Sequence, residues 1–99
     1  MEVFVKFELF DTITDREQVL RLRQVVGPQF QHIQESGKAK ALRIFSDARG
    51  GFILLDVDSP EELFDLFGSP IIDHCHVETH PVIPVEKLAE FFERDGAAG

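Results

Sequence analysis

Protonatable side chains fall on every second residue of Asp73-His74-Cys75-His76-Val77-Glu78-Thr79-His80-Pro81. In an extended strand, alternate side chains point to opposite faces. His74, His76, Glu78 and His80 then share one face, and Cys75, Val77 and Thr79 the other. Such a row suits two kinds of chemistry. One is proton transfer, because imidazole titrates near neutral pH and a carboxylate serves as base. The other is binding of a divalent metal, with His74, His76 and Glu78 as ligands. Those three span about 13 Å at the rise of a strand, so no single ion takes the whole row unaided. A histidine pair needs Glu8, His32 or a second subunit to complete a set. Histidines that merely line a cavity or bond across a dimer would produce the same row.

The remaining composition narrows the setting. A chain of 99 residues, 43% hydrophobic, with ten Phe and neither Trp nor Tyr, reads as one globular domain over residues 1–99, with a Phe-rich core and a size that a dimer interface would help. Eighteen acidic against ten basic residues give a formal charge of -8, which repels phosphate backbones and anionic membrane surfaces and argues against nucleic acid as a partner. No apolar run approaches the roughly 20 residues of a membrane span. The alternating start, Met1 to Phe10, is unlike a signal peptide, so a cytoplasmic protein is expected. Cys75, the single cysteine, cannot form an intrachain disulfide and reads as a small buried hydrophobe.

The elements that must position the row follow from periodicity. Glu2 to Phe10 alternates as a strand, with Val3, Val5, Phe7 and Leu9 on one face and Glu2, Phe4, Lys6, Glu8 and Phe10 on the other. Thr12 or Thr14, with Glu17 completing a capping box, starts a helix to about Glu35 whose stripe is Val19, Leu22, Val26, Phe30 and Ile33. Gly27-Pro28 predicts a kink or break in it. Ser36-Gly37 terminates the helix. Lys40 to Ser46 and Gly51 to Asp58 then form a hairpin about Asp47-Ala48-Arg49-Gly50. Pairing Ser46 with Gly51 sets Phe45 opposite Phe52, Arg43 opposite Leu54 and Ala41 opposite Asp56. Ser59-Pro60-Glu61-Glu62 starts a second, short helix that ends near Gly68. After the site-bearing strand, Val85 to Arg94 is amphipathic, with Leu88, Phe91 and Phe92 available to dock, and Asp95 to Gly99 is expected to fray. His32 reads as a surface residue and Arg49 as a solvated turn residue.

Strand, helix, strand, strand, helix, strand is the order of the ferredoxin-like split βαβ pattern, here with an extra C-terminal helix. Both helices cover one face of an antiparallel sheet, and the first strand lies between the third and the last. The uncovered face collects Phe4, Lys6, Glu8, Phe10, Arg43, Phe45, Phe52, Leu54, Asp56, His74, His76, Glu78 and His80. That mixture suits a cavity closed by a second copy.

At these residues the chain resembles the muconolactone isomerases and their small relatives among the dimeric α+β barrels. Gly37-Lys38 precedes the hairpin, Phe52-x-x-x-Asp56-Val57-x-Ser59 is followed by Glu62-Leu63, and Val77-Glu78-Thr79-His80-Pro81 closes the sheet. Val5-Lys6-Phe7-Glu8 repeats the family's apolar, basic, apolar, acidic order. The resemblance spans residues 1 to about 83. It implies a homodimer with facing sheets, higher assemblies built from it, and a small-molecule ligand. The family's polar positions match Lys6, Glu8, Asp56 and Glu78. Departures are the histidine row, the absence of Trp and Tyr, and the terminal helix.

The reaction that the resemblance and the residues together imply is proton-transfer isomerisation of a small unsaturated lactone or carbonyl compound. Glu78 or Glu8 would act as base, His76 as shuttle, and Lys6 or Arg43 would steady the enolate oxygen, with no cofactor required. Cross-strand ion pairing of Lys6 with Glu8 or Glu78 explains the same residues structurally. Two other readings stand beside it: a divalent-metal enzyme built on His74, His76 and Glu78, and a noncatalytic ligand-binding or structural dimer.

Overall fold

Val3, Val5 and Phe7 alternate along Glu2–Leu9 (β1) and are all buried, as expected of a strand whose one face meets a helical layer. In the computed structural model, which describes residues 1–98, β1 is the inner strand of a four-stranded antiparallel sheet ordered β2-β3-β1-β4. The other elements are Arg16–Glu35 (α1), Ala39–Ile44 (β2), Gly50–Asp56 (β3), Glu62–Ile72 (α2), Cys75–Val82 (β4) and Val85–Ala98 (α3). The ferredoxin-like α+β architecture is therefore the one expected, and the first strand lies between the third and the last.

Asp15 caps α1, its carboxylate accepting from Gln18 N at 3.3 Å; neither Thr12 nor Thr14 does. An aspartate directly before the first helical residue reaches the third helical amide, whereas Thr14 lies one position too early. Pro28 does not break the helix. Leu22, Val26 and Ile33 are buried on either side of it, and this packing outweighs a proline penalty of about 3 kcal/mol. Ser36 Oγ donates to Ile33 O at 2.6 Å and Gly37 takes φ 73°, the expected glycine terminator.

The β2–β3 hairpin pairs in a different register from the one the sequence predicts. Arg43 pairs with Phe52, Ala41 with Leu54 and Ile44 with Gly51, two residues from the expected register. An even shift keeps every side chain on its expected face, so the layer assignment survives. Glycine at positions 50 and 51 permits the close approach: a Cβ there would run into Phe7 O and Arg43 O respectively. A bulge between Ala39 and Ala41 turns Ala39 back toward the core, where it packs.

Helix α2 also departs from expectation at both ends. Glu61 occupies the capping position without a side-chain bond, and Glu62 reaches back to accept from Asp58 N at 2.8 Å. Gly68 (φ 62°, ψ 174°) breaks the helix as expected, but Ser69 to Ile72 form a second turn that places Ile71 in the core. Gln29 of α1 donates to Leu66 O at 2.6 Å, satisfying a carbonyl released by that kink and tying the two helices together.

The core lies between the helices and one sheet face, with Ile33, Ile53, Leu55 and Ile71 at its dry centre. It is aliphatic, not Phe-rich. Among the described residues only Phe7 and Phe67 are buried; Phe4 and Phe52 sit half-buried on the opposite sheet face, and Phe64, Phe91 and Phe92 are exposed. Nor does α3 dock. It continues beyond Arg94 to Ala98, makes no extensive contact with any other element, and projects from a molecule measuring 60 × 25 × 20 Å. Gly99 lies outside the described residues.

Two outcomes follow. Leu55→Ala removes a fully buried side chain and should cost about 2–5 kcal/mol in urea unfolding. Lys38 bonds Glu62 across the β2–α2 corner; this holds the Glu62 carboxyl below its ordinary 4.5 and raises the Lys38 ammonium above 10.5. The Glu62 contribution is complete above pH 4.5 and lost as pH falls through its lowered value. That of Lys38 is complete below 10.5 and lost as pH rises through its raised value. In unfolding measured against pH, Glu62→Gln should flatten the acid-side loss and Lys38→Met the alkaline one.

Candidate functional site

Alternation along β4 and its register with β1 assemble most of the expected constellation on the sheet face that the helices leave open. Lys6 stands opposite Glu78 on one side and Phe52 on the other, and Arg43 lies beyond Phe52. The row across the sheet is thus Arg43, Phe52, Lys6, Glu78. Glu8 stands opposite His76 in the next row, and Phe4 opposite His80 and Leu54 in the one below. All five expected catalytic residues, Glu78, His76, Glu8, Lys6 and Arg43, therefore share one face.

Side-chain contacts refine this. Lys6 Nζ lies 3.3 Å from Glu8 Oε1, and His80 Nε2 lies 3.8 Å from Glu78 Oε2. The His76 ring meets Phe10 edge-on at 4.8 Å, and Phe4 stacks on Phe52 at 5.6 Å. Arg43 donates to Leu42 O at 2.9 Å, and no carboxylate among the described residues is within ion-pairing distance of it. An apolar floor of Phe4, Phe52 and Leu54 is thus bordered by two cations, two carboxylates and two imidazoles. In the single chain it stays wet: the Lys6 side chain is 40% exposed and Glu78 64%. Asp56, also at the open end of this face, bonds the Met1 amino group at 3.3 Å.

His74 does not join the row. β4 begins at Cys75, and His74 belongs to the turn after α2, where Nδ1 bonds Pro70 O at 2.8 Å and the ring borders a groove with Thr12, Ile13 and Gln18. Alternation stops where the strand stops, so the ring need not follow the strand's period. The trio His74, His76 and Glu78 is accordingly not brought together, and no group of three or more His, Cys, Asp or Glu among the described residues is arranged to hold a metal ion. His32 is exposed on α1. Cys75 is buried as expected, and burial pushes its thiol up to about 11, which keeps it protonated and unreactive at neutral pH.

Sequence reasoning missed a cavity of about 280 Å³ on the other side of the sheet, between α1 and the hairpin end. Phe7, Leu22, Val26, Phe30 and Cys75 line it, with Gly27, Arg23, Ala48 and Arg49 around it. Arg49 donates to Phe10 O and Ile13 O at 3.3 and 2.8 Å, bracing the loop over the cavity; it is not merely solvated. Ala48 holds φ 59°, an uncommon conformation for a residue with a Cβ. Gly27 was the available signal. It is helical, and a Cβ there would touch nothing within 4 Å. Neither backbone conformation nor close packing demands a glycine, so its effect is to leave space.

No protein-family model and no curated protein sequence matches the chain. Among solved structures, the crystal structure of muconolactone isomerase at 3.3 Å resolution is similar, with a TM-score of 0.67 at 19% identity over 85% of this chain and 90% of that one. No helix among the described residues is long and apolar enough to cross a membrane. Over 85% of its length the chain thus has a muconolactone isomerase-like fold.

Proposed function

We propose that the open sheet face catalyses proton-transfer isomerisation of a small unsaturated lactone or carbonyl compound. The observation that carries this reading is the row Arg43, Phe52, Lys6, Glu78. Adjacent strands lie about 4.8 Å apart, so Arg43 and Lys6 flank the Phe52 ring at a separation that accommodates a five- or six-membered ring. Glu78, next to Lys6, takes a proton from the carbon beside the carbonyl. The resulting dienolate oxygen faces Lys6 and Arg43, whose charges stabilise it. His76, two residues from Glu78 on the same face and opposite Glu8, returns a proton to the distal carbon. One C–H bond breaks, another forms and the double bond moves; Glu78 is left protonated and His76 without its proton, so a proton passes from Glu78 to His76, directly or through water, before the next turnover. Glu8 holds Lys6 in place, or serves as base if the substrate lies one row over. The likeness to a muconolactone isomerase fold supports this class of reaction, and no cofactor enters it. A second copy covering the face would exclude water and strengthen each of these electrostatic contacts.

The test is exchange of the acidic carbon-bound protons of a butenolide for deuterium, followed by NMR. Wild type is expected to catalyse it, and Glu78→Gln to lose about 10²-fold or more, the typical share of a positioned general base. Lys6→Met should lower the rate at saturating substrate, because it acts on the developing charge. Equal rates for wild type, Glu78→Gln and Glu8→Gln would reject the proposal.

The cavity beneath α1 supports a second reading, a noncatalytic ligand-binding protein. At about 280 Å³ it exceeds the roughly 150 Å³ that admits benzene, and Arg23 at its edge suits an aryl carboxylate. Gly27→Leu should fill its mouth and abolish binding of 1-naphthoate in calorimetry without changing exchange at the sheet face. Naphthoate binding that survives Gly27→Leu would remove this reading.

A further inference from the structure

The structure leaves two apolar surfaces uncovered. One is the stripe Val85, Leu88, Phe91 and Phe92 on α3, with Phe91 52% and Phe92 60% exposed. The other is a groove of about 500 Å³ between α2 and the outer edge of β4, lined by Leu63, Phe64, Phe67, Ile72 and Val77, with Phe64 69% exposed. A 14-residue helix is marginal in water without tertiary packing, since isolated helices need more than about 12–15 residues even at high propensity. The stripe therefore requires a partner surface.

We infer that α3 is an exchanged arm, seated in the α2–β4 groove of a second copy of this chain. Two residues, Ile83 and Pro84, join β4 to α3. Pro84 fixes its own φ and confines Ile83 to extended conformations, so the link resists reversal. Pro84 O also accepts the Lys87 amide at 3.0 Å, starting the helix at once. The direction of β4 is carried outward, and the groove beside that same strand stays open. Each copy then has one arm and one groove, which closes a two-fold dimer with nothing left over, in the manner of a domain swap favoured by a short hinge. The exposed parts of these side chains amount to roughly 600 Å² for each arm and groove, taking about 150–250 Å² for an aromatic side chain. Doubled by symmetry, this meets the roughly 1,200 Å² at which specific interfaces begin. The arrangement does not depend on the reaction proposed above.

Cross-linking reads it directly. Chains carrying Leu88→Cys and chains carrying Phe64→Cys are purified separately, confirmed folded by circular dichroism, mixed, and treated with a short bismaleimide; Cys75 is buried and stays in place. A covalent species containing one chain of each type is expected, and the chain carrying both substitutions should also link to a second chain. Internal linkage of the doubly substituted chain, or no linkage in either experiment, overturns the proposal. Four Gly/Ser residues inserted between Ile83 and Pro84 should let the arm fold back. At micromolar protein the doubly substituted chain should then shift from intermolecular to internal linkage roughly tenfold or more, because a short flexible linker gives millimolar effective concentration. Absence of that shift contradicts the hinge on which the exchange rests.

Discussion

The pairing of β1 with its two neighbours is the constraint on which the rest of the molecule depends. Because β1 is an inner strand, its alternation separates the two halves of the protein: Val3, Val5 and Phe7 enter the core, while Phe4, Lys6 and Glu8 face outward. The register of β4 then decides what those outward residues meet, and Lys6 opposite Glu78 is its most consequential product. A slip of one residue would bury Glu78 and expose Val77, at the cost of an unpaired charge in the aliphatic core. That penalty fixes the register. The same alternation that makes the core dry therefore keeps the polar row together.

Most of the fold was legible in the sequence because its signals are local. Alternation in β1 and β4, the apolar stripe of α1, the glycine after Ser36 and the helix break at Gly68 each report on a few neighbouring residues. The hairpin register was misjudged by two because it depends on how closely Gly50 and Gly51 let three strands approach, a tertiary fact. Phe was read as core by its hydrophobicity alone, yet the small space between helices and sheet is filled by Ile, Leu and Val, leaving the rings to the open face and the outer helices. The docking expected of α3 failed for a related reason: periodicity identifies an apolar stripe without saying which surface covers it.

The layout of the candidate face was legible to the same extent. Lys6, Glu8, Arg43, His76 and Glu78 converge because each lies in a strand of known phase. His74 does not, because it precedes the first paired residue of β4, and its imidazole is engaged by Pro70 O. Without it the expected three-ligand set is not assembled, while the five residues gathered on the open face keep their places. The cavity under α1 left a faint trace in the sequence, since Gly27 invites interpretation as a helix breaker beside Pro28. Its open surroundings, visible in three dimensions alone, change that meaning.

The helix-covered face packs a largely aliphatic core, and the open face carries phenylalanines between charges of both signs. The central claim is that ligand chemistry belongs to the open face. The most direct measurement is a crystal structure of the protein soaked with a butenolide. The account predicts the ring against Phe52, its carbonyl oxygen toward Lys6 or Arg43, and Glu78 within reach of the carbon beside it. A butenolide found beneath α1, among Phe7, Phe30 and Cys75, with the sheet face holding solvent alone, would contradict it.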